Sequence, residues 1–286
     1  MNLILFQVSI FVFGLIIGSF LNVVILRYGK KSLNGRSECI SCKKKLYWYE
    51  LIPVFSFIFQ KARCRKCKKK ISWQYPTIEI ITGLLFLLIF NHQFFTPMGK
   101  PLLEGQFFTG VAILGLFYYW IIFSLLIVIF VYDLYHKIIP DLLVFTFVGL
   151  TFIKIIINFD GFYFLSDLWA GPILALPFAF LWVISKGRWL GLGDAKLILG
   201  IGWLLGLIKG SSAIVLGVWI GTMAGLFLIF LPRFLKQYSF FNKLRLFFGL
   251  KNFTIKSELP FAPFLIIGTI IVFFLGWDVW GLSLVL

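Results

Sequence analysis

The chain contains 286 residues, of which 60% are hydrophobic and only 13% are charged, and its mean hydropathy is +0.99. A soluble domain has roughly 25% charged residues, and a chain this apolar could not cover its surface with polar side chains. The composition therefore excludes a soluble globular protein and predicts one that crosses a membrane several times.

Apolar runs of about 20 residues, the length that crosses the hydrocarbon of a bilayer, recur along the whole chain. The sequence therefore predicts an all-α polytopic membrane protein in which each run forms one transmembrane helix. The sixth run is short, because only 14 residues separate Asp194 from Lys209. A helix of that length rises about 21 Å, less than the hydrocarbon thickness of about 30 Å, so either the bilayer thins there or Asp194 lies inside the membrane margin. The eight predicted spans are residues 3–26, 76–95, 107–131, 139–157, 167–185, 194–208, 211–231 and 261–284.

The basic residues behind the net charge of +16 are distributed as this topology predicts. If the N-terminus lies outside, 24 of the 27 Lys and Arg residues fall in segments on the cytoplasmic side. Basic residues collect in cytoplasmic loops, so the charge indicates orientation and a lipid-bilayer partner, and no nucleic-acid partner is predicted. The first span is expected to stay as an anchor, since no basic segment precedes Leu3.

All four cysteines lie in the predicted loop 27–75, as the C-x-x-C pairs Cys39/Cys42 and Cys64/Cys67. Two such pairs at this spacing are typical of a structural zinc site. Two disulfides are the alternative, which the predicted cytoplasmic placement disfavours. A redox function would require a βαβ pattern around one pair, and neither pair has one. The loop contains few large apolar residues and is expected to depend on the metal for folding.

Two aspartates are predicted at the cytoplasmic mouths of spans. Asp133 follows the apolar run 125–132, and Asp194 begins the sixth span. If they lay close together they could not both ionise easily, and such a pair can activate a water molecule and protonate a leaving amine. Because 60 residues intervene, separate interfacial caps or a cation site remain alternatives. Asp141 is expected to cap the fourth span. His136 is expected to be a structural or electrostatic neighbour of Asp133, with a catalytic role as the alternative.

Six short segments, in order along the chain, carry a family resemblance. They are 18–25 (GSFLNVVI), 50–54 (ELIPV), 75–79 (YPTIE), 133 with 139–141 (D and IPD), 191–197 (GLGDAKL) and 258–264 (ELPFAPF). Through them the chain resembles the bacterial prepilin peptidases, the bifunctional leader peptidase/N-methyltransferases of type IV pilus, type II secretion and competence systems. Segment 191–197 resembles the G-x-G-D-x-K motif that names the wider group of GxGD aspartyl proteases, to which that family belongs.

The resemblance implies that Asp133 and Asp194 are the catalytic aspartates. It implies removal of a short basic leader from a prepilin or pseudopilin, after glycine, at the cytoplasmic face of the bacterial inner membrane. It also implies that the new N-terminus is methylated from S-adenosylmethionine. No residue is assigned to this cosubstrate; Glu79 is a candidate only through its family position, and packing or helix-end pairing is an equal alternative.

The expected organisation has three parts. Residues 1–26 form the first transmembrane helix, residues 27–75 form a four-cysteine zinc module associated with methylation, and residues 76–286 form a membrane domain that carries the peptidase site. The zinc module and the peptidase site are both expected to face the cytoplasm.

Three departures from the family pattern bear on function. Glu50 stands where Asn or Asp is common, Ala262 replaces a usual glycine, and segment 35–39 lacks a proline and a histidine. We expect them to affect methylation more than the aspartyl motifs, so a peptidase without methylation remains an alternative. A transporter in which Asp133 and Asp194 bind a cation or relay protons is another, although no inverted repeat supports it.

Overall fold

The structure is a computed structural model that describes residues 3–29, 32, 34–95, 110–157, 164–234 and 259–281, with side chains described only as far as residue 227 within 164–234. Glu258, from the last family-like segment, lies outside the described residues. The prediction of an all-α membrane protein with a cysteine-containing insert between its first two long helices is confirmed. The described elements are α1 (Leu3–Arg27), a 3₁₀ turn (Trp48–Glu50), α2 (Phe55–Phe59), α3 (Gln74–Phe94), α4 (Gly110–His136), α5 (Asp141–Ile157), α6 (Phe164–Ser185), α7 (Leu192–Leu205), α8 (Leu207–Phe234) and α9 (Ala262–Leu275).

The eight predicted spans correspond to α1 and α3–α9. Helices α1, α3, α4, α6 and α8 are each long and apolar enough to cross a membrane. Helices α5, α7 and α9 are shorter, with 17, 14 and 14 residues. The last span was predicted too long, because Gly276 adopts a left-handed conformation (φ 61°) and ends α9 at Leu275.

The boundary between the sixth and seventh spans also differs from the prediction. A single residue, Gly206, connects α7 to α8, and its φ of 79° is readily adopted only by glycine. Helix α8 therefore begins at Leu207, four residues earlier than predicted. Lys209, which the sequence suggested was a loop charge, lies inside the first turn of α8.

Residues 1–128 form one compact unit, in which α1 and α3 cross closely. A Cβ atom added to Gly14 would lie 2.7 Å from the Cα of Gly83, so the two backbones approach each other as glycine-containing membrane helices do. The first half of α4 contributes Trp120, which stacks on Phe86 with ring centroids 4.8 Å apart and donates a hydrogen bond to its carbonyl.

Residues 129–286 form a second compact unit, built around α7. Helix α7 packs against α5, α6, α8 and α9, and its side chains Leu197, Ile198 and Ile201 are fully buried. A Cβ atom added to Gly202 would lie 2.7 Å from the Cα of Gly171 in α6. Because protein surrounds most of α7, its length of about 21 Å need not match the bilayer.

Candidate functional site

The structure brings together the two aspartates that the sequence separates. Asp133 lies in the last turn of α4 and Asp194 in the first turn of α7, and they are only 4% and 8% exposed. Both line one cavity of about 490 Å³. Their carboxyl groups are close enough to interact electrostatically. The geometry is therefore that of a carboxyl pair within one concave site.

Each of the two carboxyl groups meets the beginning of a helix. The N–H of Ala262, the first residue of α9, donates to Asp133, and the N–H of Gly191 donates to Asp194. Helix N-termini favour negative charge, so this environment can hold one ionised carboxylate despite its burial. The Oδ2 atom of Asp133 is buried and has no hydrogen-bond partner among the described residues. That oxygen can therefore accept a hydrogen bond from a water molecule or a peptide group.

The replacement of glycine by Ala262 was expected to affect methylation more than the aspartyl motifs. The structure places Ala262 beside one of those motifs, because the residue is fully buried and its backbone N–H donates to Asp133. An alanine supplies the same backbone N–H as a glycine. The departure from the family pattern therefore keeps the hydrogen bond to Asp133.

The two glycines of the G-x-G-D segment have different environments. A Cβ atom added to Gly193 would lie 2.9 Å from the Cβ of Ile139, in the connection between α4 and α5. A Cβ atom added to Gly191 would meet Asp194 Oδ2 only at 3.4 Å, an ordinary contact. A side chain at position 193 would therefore clash with Ile139, whereas position 191 has room for one.

An ion pair joins two of the family-like segments. Asp141, the first residue of α5, accepts a hydrogen bond of 2.6 Å from Lys196 Nζ in α7. The same ammonium group lies 4.5 Å from the ring centroid of Phe145. Both charged residues line the cavity of the aspartates. Sequence reasoning assigned no role to Lys196, although its opposite charge to Asp141 in a neighbouring motif was a usable signal.

His136 makes local contacts within α4. Its ring stacks on Tyr132 with centroids 4.2 Å apart, and Nδ1 lies 3.2 Å from the Tyr132 carbonyl oxygen. These contacts agree with the structural role expected for His136.

The four cysteines of the insert converge on one point. Their Sγ atoms all lie within 4.8 Å of one another, with 3.8 Å between Cys39 and Cys67 and 4.0 Å between Cys42 and Cys64. All four are free thiols. A tetrahedral ion with Zn–S distances of about 2.3 Å places its sulfur ligands about 3.8 Å apart. The cluster therefore fits a four-thiolate metal ion.

The backbone favours ionisation of the most buried thiol. The N–H groups of Cys67 and Lys66 point at Cys64 and lower its pKa to about 6. At Cys67 the Lys69 N–H lowers the pKa, but desolvation and hydrogen bonds with the other three thiols outweigh it and raise the pKa to about 11. A cation at the centre would stabilise the remaining thiolates, as a metal does.

The two cysteine pairs fold as one repeated turn. The backbone N–H of Lys43 donates a hydrogen bond to the Cys39 carbonyl, and the backbone N–H of Lys68 donates one to the Cys64 carbonyl, both at 2.9 Å. Both lysines adopt left-handed backbones, with φ of 56° and 58°. An isolated β-bridge closes each turn, Glu38 with Lys45 and Arg63 with Lys70.

Glu50, which departs from the family pattern, stabilises the insert locally. Its carboxylate accepts hydrogen bonds from Lys44 Nζ at 3.1 and 3.2 Å and from the Tyr47 N–H at 3.0 Å. Its side chain is 1% exposed. Burial alone would raise the pKa of Glu50, but the Tyr47 N–H and the Lys44 ammonium lower it overall. The carboxylate is therefore a charged, fully bonded part of the module.

The first three family-like segments meet around Glu79. Glu79 Oε2 accepts a hydrogen bond of 2.7 Å from the Val54 N–H and is also bonded by the Ser19 side chain. The side-chain amide of Asn22 donates a hydrogen bond of 3.1 Å to the backbone carbonyl of Tyr75. These contacts favour the packing role for Glu79 that was left open. They link α1, α3 and the insert.

Comparison with known proteins identifies the same family that the six short sequence segments resemble. The Prepilin leader peptidase/N-methyltransferase of Bacillus subtilis (strain 168) is 31% identical over 273 residues, covering 93% of each chain. A protein of the same name from Pectobacterium carotovorum subsp. carotovorum is 29% identical over 288 residues, covering 90% of this chain and 88% of the relative. Residues 12–93 match the family described as Bacterial Peptidase A24 N-terminal domain. No solved structure matches. The chain thus belongs to the prepilin leader peptidase/N-methyltransferase family.

Proposed function

We propose that the chain is an aspartyl endopeptidase that removes the basic leader of prepilins or pseudopilins, with Asp133 and Asp194 as the catalytic pair. The observation that carries this proposal is that both buried carboxyl groups line one cavity, where Asp133 Oδ2 lacks a partner among the described residues. The names of the relatives, which are prepilin leader peptidases, supply the substrate class.

The mechanism follows from the chemistry of a carboxyl pair. Two carboxyl groups that share one site do not both ionise easily, so the proposed pair holds one proton at the start of the reaction. The ionised aspartate takes a proton from a water molecule as the water oxygen attacks the scissile carbonyl carbon. The protonated aspartate donates a hydrogen bond to the carbonyl oxygen. A proton then passes from the pair to the leaving amine as the C–N bond breaks, which restores the starting protonation state.

We further propose that Cys39, Cys42, Cys64 and Cys67 hold a structural zinc ion. The sulfur distances of 3.8 and 4.0 Å support this donor set. A closed site of four thiolates cross-links the insert and takes no part in hydrolysis.

Methylation of the new N-terminus is the second proposed activity, with S-adenosylmethionine as donor. It rests on the N-methyltransferase part of the relatives' names and on the family match over residues 12–93. In this proposal residues 1–26 are the first membrane helix, 27–75 the methylation-associated zinc module and 76–286 the peptidase domain. The protein lies in the bacterial inner membrane with its N-terminus outside, and the module and the site face the cytoplasm.

Cleavage of a prepilin by the purified protein tests the peptidase. Asp133→Asn and Asp194→Asn are each expected to abolish cleavage, while Asp167→Asn, at an exposed aspartate in the first turn of α6, is expected to retain it. Full cleavage by either of the first two variants would refute the catalytic pair and favour a cation-binding role for the aspartates.

Two further measurements address the other activities. Mass spectrometry of the cleaved product, with and without S-adenosylmethionine, should detect one added methyl group on the new N-terminus. An unmodified product would indicate a peptidase alone. Elemental analysis should show one zinc per chain in the wild type and a loss of zinc in Cys39→Ser/Cys42→Ser. Undiminished metal in that variant would refute the zinc site.

A further inference from the structure

Helix α2 in the cysteine insert presents an unusual apolar face. Phe55, Ile58 and Phe59 are spaced as neighbours on one side of a helix and are 57%, 63% and 79% exposed. Phe57, on the opposite side, is only 8% exposed. Three large apolar side chains on one exposed face are costly in water and mark a surface that meets another apolar phase.

Contacts of α2 fix its position along the membrane helix α3. The ring of Phe57 packs on Trp73, the residue just before α3, with centroids 4.9 Å apart. Val54, which precedes α2, donates its N–H to Glu79, five residues into α3 and about 7.5 Å along its axis. Helix α2 therefore lies beside the first turns of a membrane-crossing helix, where the chain enters the bilayer.

We propose that the face formed by Phe55, Ile58 and Phe59 inserts into the interfacial region of an anionic lipid bilayer. Its flanks carry the residue types that this environment favours. Trp73 is 67% exposed at the entry of α3, and the exposed bases Lys61 and Arg63 follow α2 directly. Tryptophan collects at membrane interfaces, and Lys and Arg are attracted to anionic headgroups.

A protein partner fits this face less well. A stable protein interface uses about 20–30 residues on each side, whereas this face offers three side chains on a helix of five residues. A lipid surface needs no matched partner, and the contacts with Trp73 and Glu79 already hold the face beside the first turns of α3. The inserted face would fix the insert against the membrane, whether or not the chain is a peptidase.

The test is photo-cross-linking of the full chain in nanodiscs that contain anionic and zwitterionic phospholipids. p-Benzoylphenylalanine is placed at Phe59, at Phe55 and, as a matched control, at Ile40, which is 67% exposed in the first cysteine turn. Retention of wild-type zinc content confirms that each labelled protein is folded. We expect several-fold more phospholipid adduct from position 59 than from position 40, and a lower yield at 59 in Lys61→Glu/Arg63→Glu.

Three outcomes would overturn the proposal. Equal lipid adducts at positions 59 and 40 would mean that the contact is not specific to α2. An adduct between two copies of the chain at 59 would show that a second copy covers the face. An absence of adducts at both 59 and 55 would show that the face remains in water.

Discussion

Replacing Gly193 with alanine is expected to disturb the candidate site without removing any functional group. The added Cβ would lie 2.9 Å from Ile139 Cβ, and 3.2 Å from the end of the same side chain. Ile139 Cβ is attached directly to the backbone and cannot rotate away. The start of α7 and the connection before α5 must therefore separate by roughly 0.5–1 Å to restore normal carbon contacts.

The cost of this separation can be bounded. Overpacking by one carbon costs about 1–3 kcal/mol of folding free energy. Asp194 is the next residue and moves with Gly193, and a misplacement of about 1 Å can cost on the order of a hundredfold in rate. We expect a lower thermal unfolding temperature in detergent and a ten- to hundredfold lower kcat for prepilin cleavage.

Gly191→Ala is the matched control for this variant. It has φ −76°, which alanine adopts freely, and its Cβ would meet no atom closer than 3.4 Å. Its stability should stay within about 0.5 kcal/mol of the wild type. If Gly193→Ala unfolds at the same temperature and cleaves at the same rate as Gly191→Ala, the steric reasoning is wrong.

Reversing one charge of the Asp141–Lys196 pair, by Asp141→Lys or Lys196→Asp, should cost about 1 kcal/mol of stability and lower cleavage, since Asp141 is 71% exposed and partly screened. The double variant Asp141→Lys/Lys196→Asp should recover part of the lost stability and part of the lost cleavage. If neither is recovered, the ion pair contributes to neither property. Glu50→Gln should weaken the insert by about 1–2 kcal/mol, because Lys44 loses its charged partner, and a dye-based assay should detect zinc release at a lower temperature. Because the pKa of Glu50 is lowered in the folded insert, its contribution is present above the ordinary carboxyl range and lost as the pH falls through the folded value. The difference between wild type and Glu50→Gln should therefore narrow below about pH 4, and a difference that widened there would contradict this assignment.

Local patterns in the sequence were sufficient for the approximate positions of the long helices and for the cysteine cluster. The first span was predicted as 3–26 and the structure gives Leu3–Arg27, because hydropathy and helix formation end together there. The third span was predicted to end at 131, but α4 continues to His136. Hydropathy reports where a chain leaves lipid, whereas backbone hydrogen bonds can continue into polar sequence.

Contacts between distant segments were beyond the reach of sequence spacing. The approach of Asp133 to Asp194 depends on how α4 and α7 pack, and the position of Ala262 depends on α9. The bond from Val54 to Glu79 likewise joins residues whose separation along the chain says nothing about distance. Such contacts follow from tertiary packing, which periodicity does not encode.

The short length of α7 has a consequence for how water reaches the site. Hydrolysis consumes one water molecule for each bond cut, and a bilayer interior supplies almost none. The cavity that Asp194 lines also has the exposed charged side chains of Lys137 and Arg188 in its wall, which bind water strongly. Helix α7 has only 14 residues, and its first turn, with Asp194, forms part of the wall of this cavity. In the proposed peptidase, a cavity with this wall would supply the water that hydrolysis consumes, and the substrate need not bring it.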